Sequence, residues 1–233
     1  MSKGACVVLG AGPGNGAAIG RRFSAAGHRV ALCARDESRL RALAAEIDGA
    51  RAYRYDVRDV EAPGRVFARV REELGALETL VYNAGAGAFA NIDNATLEGF
   101  QNAWEVNARG LFLAVQEILP DLRAAGGGNI VIIGATASLK GGANFAPFAS
   151  AKFAQRGLAQ SLARHLGSEH IHVSYVIIDG ILDLERARKR LPDKPSAFFM
   201  DPAEIADSVY FLTRQGAQAW TFELDLRPFG ERW

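Results

Sequence analysis

The sequence is poor in the features that mark secreted, membrane-spanning or nucleic-acid-binding chains. Its 233 residues include only two cysteines, Cys6 and Cys33, too few for the disulfide framework of a small secreted domain. Both fall in apolar stretches and read as small core residues of a cytoplasmic protein. No apolar run approaches the ~20 residues that a membrane-spanning helix needs, and the first residues carry no apolar leader. Lysine and arginine number 27 against 26 acidic residues, a net charge of +1, so no basic field exists to draw nucleic acid or a membrane surface. Histidine is scarce too. His170 and His172 share one face of a predicted strand, but no cysteine or carboxylate nearby completes a ligand set, and no metal site is expected. These absences leave a cytoplasmic chain whose partner is a small molecule.

What is present is apolar surface in short runs. Hydrophobic residues make up 49% of the chain, enough for a substantial core at this length. Residues 5–35 organise the rest. Cys6-Val7-Val8-Leu9 reads as a buried parallel strand, followed by Gly10, Gly12, Gly14, Asn15 and Gly16, then a helix to Gly27. Glycines here allow a sharp turn and let the backbone close on a pyrophosphate at the helix N-terminus, where free N–H groups favour an anion. Two registers fit: Gly12-x-Gly14-x-x-Ala17, and Gly10-x-x-x-Gly14-x-Gly16.

Strand and helix patterns then alternate to the end. Strands are predicted at Arg29–Ala34, Ala52–Tyr55, Thr79–Tyr82, Asn129–Ile133, His172–Ile178 and Trp220–Leu226. Helices are predicted at Glu37–Ile47, Asp59–Leu74, Phe100–Ala124, Phe148–Leu166 and Ala203–Arg214. Alternation of this kind predicts an α/β fold: a Rossmann-type, doubly wound parallel sheet with helices on both faces. No linker or repeat divides residues 1–233, which read as one domain. Ligands of such sheets sit beyond the carboxyl ends of the strands. The residues there are Gly10–Gly16, Arg35, Asp56, Asn83–Gly85, Gly134–Ser138 and Asp179–Gly180.

Over essentially its whole length the chain resembles the short-chain dehydrogenase/reductase family. Gly10-x-x-x-Gly14-x-Gly16 matches the cofactor glycine motif and selects that register. Asp56-Val57 resembles the adenine-contacting pair, and Tyr82-Asn83-Ala84-Gly85 the Asn-Asn-Ala-Gly motif with tyrosine in first place. Asn107 matches the asparagine of the long helix. The resemblance implies an oxidoreductase that moves a hydride between a nicotinamide and a small organic molecule, with Asn107 and Lys152 in the catalytic group. It also implies cofactor contacts from Asp179-Gly180, which replace the family's Pro-Gly.

The same resemblance exposes departures. The family's Tyr-x-x-x-Lys is here Phe148-x-x-x-Lys152, and the serine thirteen residues before the tyrosine is Ala135. Both catalytic hydroxyls are therefore missing. Thr136 and Ser138 follow at once and are candidate substitutes if the loop turns them inward; otherwise they are ordinary loop hydroxyls. Without a hydroxyl donor, the chain is expected either to reduce a carbonyl or activated enone by another proton route, or to hold the cofactor without turnover. Asn107 is open to a purely structural reading, bonding backbone in its helix.

Ala34-Arg35 at the end of the second strand leaves room and a guanidinium for a 2′-phosphate, which favours NADP(H). Asp36 is the rival, favouring NAD(H) if it faces the site; its alternative role is to cap the next helix. Between Asp179 and Asp201, the cations Arg186, Arg188, Lys189, Arg190 and Lys194 mark either capture of an anionic substrate or the solvated face of a lid. Phe198, Phe199 and Met200 line a hydrophobic pocket or pin that lid. The strand Trp220–Leu226 alternates as an edge strand does. The resemblance further implies a homodimer or homotetramer built on helices Phe100–Ala124 and Phe148–Leu166.

Overall fold

The computed structural model describes residues 3–230. Five short apolar runs and two partly covered ones become one seven-stranded parallel sheet. The strands are β1 (Ala5–Leu9), β2 (Val30–Ala34), β3 (Ala50–Arg54), β4 (Leu77–Tyr82), β5 (Gly128–Ile133), β6 (Ile171–Ile178) and β9 (Glu223–Leu226). Their order is β3-β2-β1-β4-β5-β6-β9, so the chain winds outward from β1 and then reverses beside it, opening a crevice at the carboxyl ends of β1 and β4. A parallel pair formed by β7 (Ile181–Leu182) and β8 (Phe199–Met200) stands apart from the sheet.

Side chains alternate across each strand, and both faces are covered. Val7 and Leu9 point into a layer with Phe67, Val70, Leu111 and Ile118, supplied by helices α3 (Ala62–Leu74) and α5 (Gly110–Ala124). Cys6 and Val8 point the other way, toward Ile19, Phe23, Leu40 and Val209, from α1 (Asn15–Ala25), α2 (Glu37–Ala45) and α8 (Pro202–Leu212). Full burial of each such large side chain contributes roughly 1.5–3 kcal/mol. Cys6 and Cys33 lie in opposite layers, each fully buried and unpaired. Burial holds both thiols well above their ordinary range.

Local chemistry sets the boundaries. Asp36 caps α2 by accepting from the Arg39 N–H. Thr96 and Asp201 do the same for α4 (Leu97–Trp104) and α8. The third strand begins at Ala50 rather than Ala52, because β2 pairs with it from Val30↔Ala50 onward. The helix predicted from Phe100 starts at Leu97 and is not continuous. A π-turn at Glu105–Arg109 separates α4 from α5. The edge position expected of the last strand holds, with β9 pairing only β6, although the strand starts at Glu223. His170 is not on β6: it is a left-handed turn residue with φ 59°, so it does not share a strand face with His172. The latter's Nε2 meets the Thr221 carbonyl at 2.9 Å, and its ring stacks on Trp220. No described helix is long and apolar enough to cross a membrane.

Candidate active site

The site is built outward from the turn between β1 and α1. Gly10 has φ +89°, and a Cβ there would lie 2.5 Å from the Ala84 nitrogen. Gly16 packs on Ala11 Cα, 2.6 Å from where its own Cβ would be. Gly12 faces open space, and a Cβ at Gly14 would meet Leu184 Cδ2 at 3.1 Å. No side chain caps α1. Asn15, in its first turn, is buried with an Oδ1 that has no hydrogen-bond partner. An uncapped helix N-terminus beside a glycine-rich turn is a place for an anion.

At the end of β4, the Asn83 side-chain amide donates to the Gly10 carbonyl. Gly85 follows, its missing Cβ 3.6 Å from Asn107 Oδ1. Asn107 sits inside the π-turn and is fully buried. Widening the helix frees backbone carbonyls, and three side chains take them up. Asn107 Nδ2 donates to Ala103 O at 2.8 Å and to Ala86 O at 3.0 Å. The Tyr82 hydroxyl donates to Val106 O. Gln155 Nε2 donates to Asn107 O at 2.9 Å. The amide nitrogen of the asparagine is thus spent on backbone, while its Oδ1 is buried without a hydrogen-bond partner.

Gln155 lies three residues after Lys152 on α6 (Ala146–Leu166), so the two side chains meet on one helix face. Lys152 is buried. Its Nζ donates to Ile133 O at 3.1 Å and to Gln155 Oε1 at 2.9 Å. Burial pulls its pKa down to about 7. The Tyr175 hydroxyl, from β6, donates to the same Gln155 Oε1 at 3.2 Å. Tyr175's ring fills the space beside Gly134, where a Cβ would lie 2.4 Å from a ring carbon.

The loop after β5 brings no unspent hydroxyl proton to this place. Ser138 is buried and donates to Ala135 O at 2.7 Å. Thr136 donates to Asp179 Oδ1 at 2.5 Å. Asp179 is held a second time by Arg227, at 3.7 Å, and Gly180 packs against Met200 and Pro228. Phe148 lies one helical turn before Lys152, with the lysine Nζ 5.9 Å from its ring centre. Its ring meets Phe89 edge-on at 5.5 Å, and Phe89 meets Phe145 at 5.2 Å. Three aromatic rings therefore form one edge-on wall beside the lysine.

On the outer side of the glycine turn, Arg35 is exposed at the exit of β2, while Asp36 is committed to its cap. The Asp56 carboxylate pairs with the Arg58 guanidinium at 2.7 Å, with Arg35 close enough to help hold its pKa below the ordinary carboxylate range. Val57 is buried against Gly110. In the covering segment, Arg188 pairs with Asp183 through two 2.7 Å bonds, Lys189 with Glu185, and Lys194 lies over the Phe198 ring. Three of the five cations are engaged within the segment. Phe199 and Met200 are buried and anchor it. A cavity of about 520 Å³ lies behind them, lined by Asp201, Ile205 and Arg227, and includes none of Asn107, Phe148 or Lys152.

The family model described as short chain dehydrogenase matches residues 4–193. The chain belongs to the short-chain dehydrogenase family. It is 30% identical over 219 residues to the 3-oxoacyl-[acyl-carrier-protein] reductase MabA of Mycobacterium tuberculosis, covering 91% of this chain and 85% of that one. The crystal structure of a short-chain dehydrogenase from Rhodopseudomonas palustris is 34% identical and superposes with a TM-score of 0.84, over 97% of this chain and 99% of that one. A metagenomic short-chain oxidoreductase solved in complex with NADP is 29% identical, with a TM-score of 0.84 over 98% of each chain. Membership places this chain among the NAD(P)-dependent oxidoreductases of the family.

Within that family frame, several contacts escape the sequence reading. Gln155 and Tyr175 enter the lysine's surroundings from a helix and a strand that look like ordinary core. The i, i+3 spacing of Lys152 and Gln155 was the one available signal. Phe89 and Phe145 join Phe148 only through the folded loop. Leu184 reaches Gly14 because β7 turns the covering segment back over the sheet.

Proposed function

We propose that this protein is an NADP(H)-dependent oxidoreductase acting on a small organic carbonyl or activated enone, without the hydroxyl pair that its family uses. The observation that carries the reading is a continuous run of contacts from the glycine turn to Lys152. Gly10 holds Asn83, Gly85 abuts Asn107, and Asn107 reaches Lys152 through Gln155. One rigid spine thus joins an anion-binding helix end to a buried amine. When bound, the nicotinamide cofactor supplies or accepts a hydride. The residues that would hold it are Gly10, Gly12, Gly14, Asn15 and Gly16 at the pyrophosphate, Arg35, Asp56 and Val57 at the adenosine, and Asn83–Gly85, Lys152 and Asp179–Gly180 along the remainder. The open space at Gly12 fits such a ligand.

Arg35 supports a 2′-phosphate, since its guanidinium is exposed and the rival Asp36 is spent as a helix cap. Phe148 and Ala135 stand at the family's tyrosine and serine positions, so no phenol or serine steadies a developing alkoxide. General acid catalysis is worth about 10²–10⁴ in rate, and an oxyanion donor about 10²–10³, so an ordinary ketone would turn over slowly. The phenylalanine wall favours a planar, apolar acceptor with the substrate carbonyl or enone held dry beside Lys152. The exposed apolar residues Leu97, Phe100, Trp104 and Phe153 support a homodimer or homotetramer through α4 and α6.

A second reading, a protein that holds NADP(H) without turnover, is favoured by Thr136 and Ser138, whose hydroxyl protons are already given to Asp179 and Ala135. One experiment separates the two. NADPH oxidation is followed at saturating cofactor against ketones, aldehydes, quinones and enones, with Lys152→Met alongside. Turnover lost in the lysine variant supports the enzyme. Tight NADPH binding with no turnover across the panel moves the assignment to the second reading.

A further inference from the structure

Gln155 is fully buried, and each polar atom of its side chain is used. Its Oε1 accepts from both Lys152 Nζ (2.9 Å) and the Tyr175 hydroxyl (3.2 Å), while its Nε2 donates to Asn107 O (2.9 Å). The amide has one workable orientation. Flipped, it would set an N–H₂ against an amine and a hydroxyl, and a carbonyl oxygen against a carbonyl oxygen. A buried amide left without partners costs about 1–3 kcal/mol, so this arrangement locks the side chain.

We propose that Gln155 is a positioning residue for Lys152: clamped between the Asn107 carbonyl and the Tyr175 phenol, its oxygen fixes where the ammonium points and stabilises its charged form. The inference rests on Lys152 serving the cofactor, as read above. The groups meeting Lys152 are Ile133 O from β5, Gln155 from its own helix, and the Phe148 ring. Behind Gln155 stand Tyr175 from β6 and Asn107 from the π-turn. None is a carboxylate, and burial is the cause of the amine's lowered pKa. A neutral oxygen is therefore the main support of the charge, together with Ile133 O. Two of the three N–H bonds are taken by these acceptors.

The test is NADPH affinity as a function of pH, read by fluorescence titration for the wild type, Lys152→Met, Gln155→Leu and Gln155→Glu, with thermal melting as a folding control. In the wild type, affinity is expected to fall as pH rises through the amine's titration, and Lys152→Met removes that fall. Gln155→Leu deletes the acceptor, weakens binding about 5–50-fold and moves the midpoint down by about one pH unit. Gln155→Glu keeps an acceptor and adds a negative charge, moving the midpoint up by about one unit or more. Opposite shifts cannot come from a loosened core. If Gln155→Leu does not fold, the upward shift in Gln155→Glu carries the test. A Lys152-dependent midpoint that neither variant moves overturns the inference and leaves the cofactor reading standing. No NADPH binding by the wild type overturns both.

Discussion

The side-chain amide of Asn83 donates to the carbonyl oxygen of Gly10 at 2.7 Å, tying the end of β4 to the first residue of the glycine turn. These two strands flank the crevice where the winding of the sheet reverses, and this bond extends their backbone ladder, whose last rung is Asn83 N–H to Leu9 O at 2.8 Å, by one side-chain contact. Replacing Asn83 by alanine leaves the Gly10 carbonyl without that donor. The expected loss is about 1–3 kcal/mol, visible as a fall of several degrees in the melting temperature. NADPH affinity should fall with it. Unchanged stability would mean that water replaces the amide.

The proposed preference for NADP(H) rests on Arg35. Arg35→Ala should weaken NADPH binding about 10–100-fold, with NADH changed less than threefold, as expected for loss of one charge-assisted phosphate contact. Titrating both cofactors against wild type and variant decides it. Equal loss for both would remove the 2′-phosphate assignment.

Lys152 makes stability depend on pH. Its pKa in the folded chain is pulled to about 7 by burial, against about 10.4 for an unfolded lysine. Between those values the unfolded chain binds more protons, so stability rises with pH. Urea unfolding of the cofactor-free protein should therefore show a gain of about 1–2 kcal/mol from pH 7 to 8.5. Lys152→Met should flatten that rise. Above about pH 8.5 the trend reverses as unfolded thiols ionise, because burial raises both cysteines in the folded state.

Restoring the absent hydroxyls tests the cleft itself. Phe148→Tyr together with Ala135→Ser should raise NADPH-dependent reduction of simple ketones at least tenfold, since each group is worth about two orders of magnitude where it is well placed. No gain, with the double variant folded and binding NADPH, would mean that the aromatic wall does not present a ketone to position 148.

Much of this molecule is legible before folding. The alternation of strands and helices, the glycine turn, the Asp36 cap and the burial of Cys6 and Cys33 follow from local pattern, because each depends on residues close in sequence. The π-turn does not. Its cause is a set of partners from distant elements: Tyr82 on β4, Gln155 on α6 and Asn107 within the turn itself. Helical periodicity sees only a helix there. His170 was misplaced on its strand because it is polar next to an apolar run, whereas its left-handed backbone is set by the turn entering β6. For the site, the sequence points to Lys152 and to the positions of Phe148 and Ala135, but not to what surrounds the lysine. Gln155 and Tyr175 carry no motif, and their meaning is purely spatial.

The two cysteines turn the sheet into its own gauge. Cys6 and Cys33 sit on adjacent strands but face opposite helical layers, each sealed from solvent. A thiol reagent can reach Cys6 only when the layer of α1 and α8 lifts away, and Cys33 only when the layer of α3 does. Labelling rates at the two thiols therefore time the opening of each side of the protein separately, with no introduced probe. Equal rates would mean that the layers come apart in one cooperative event, and unequal rates would name the layer that opens first.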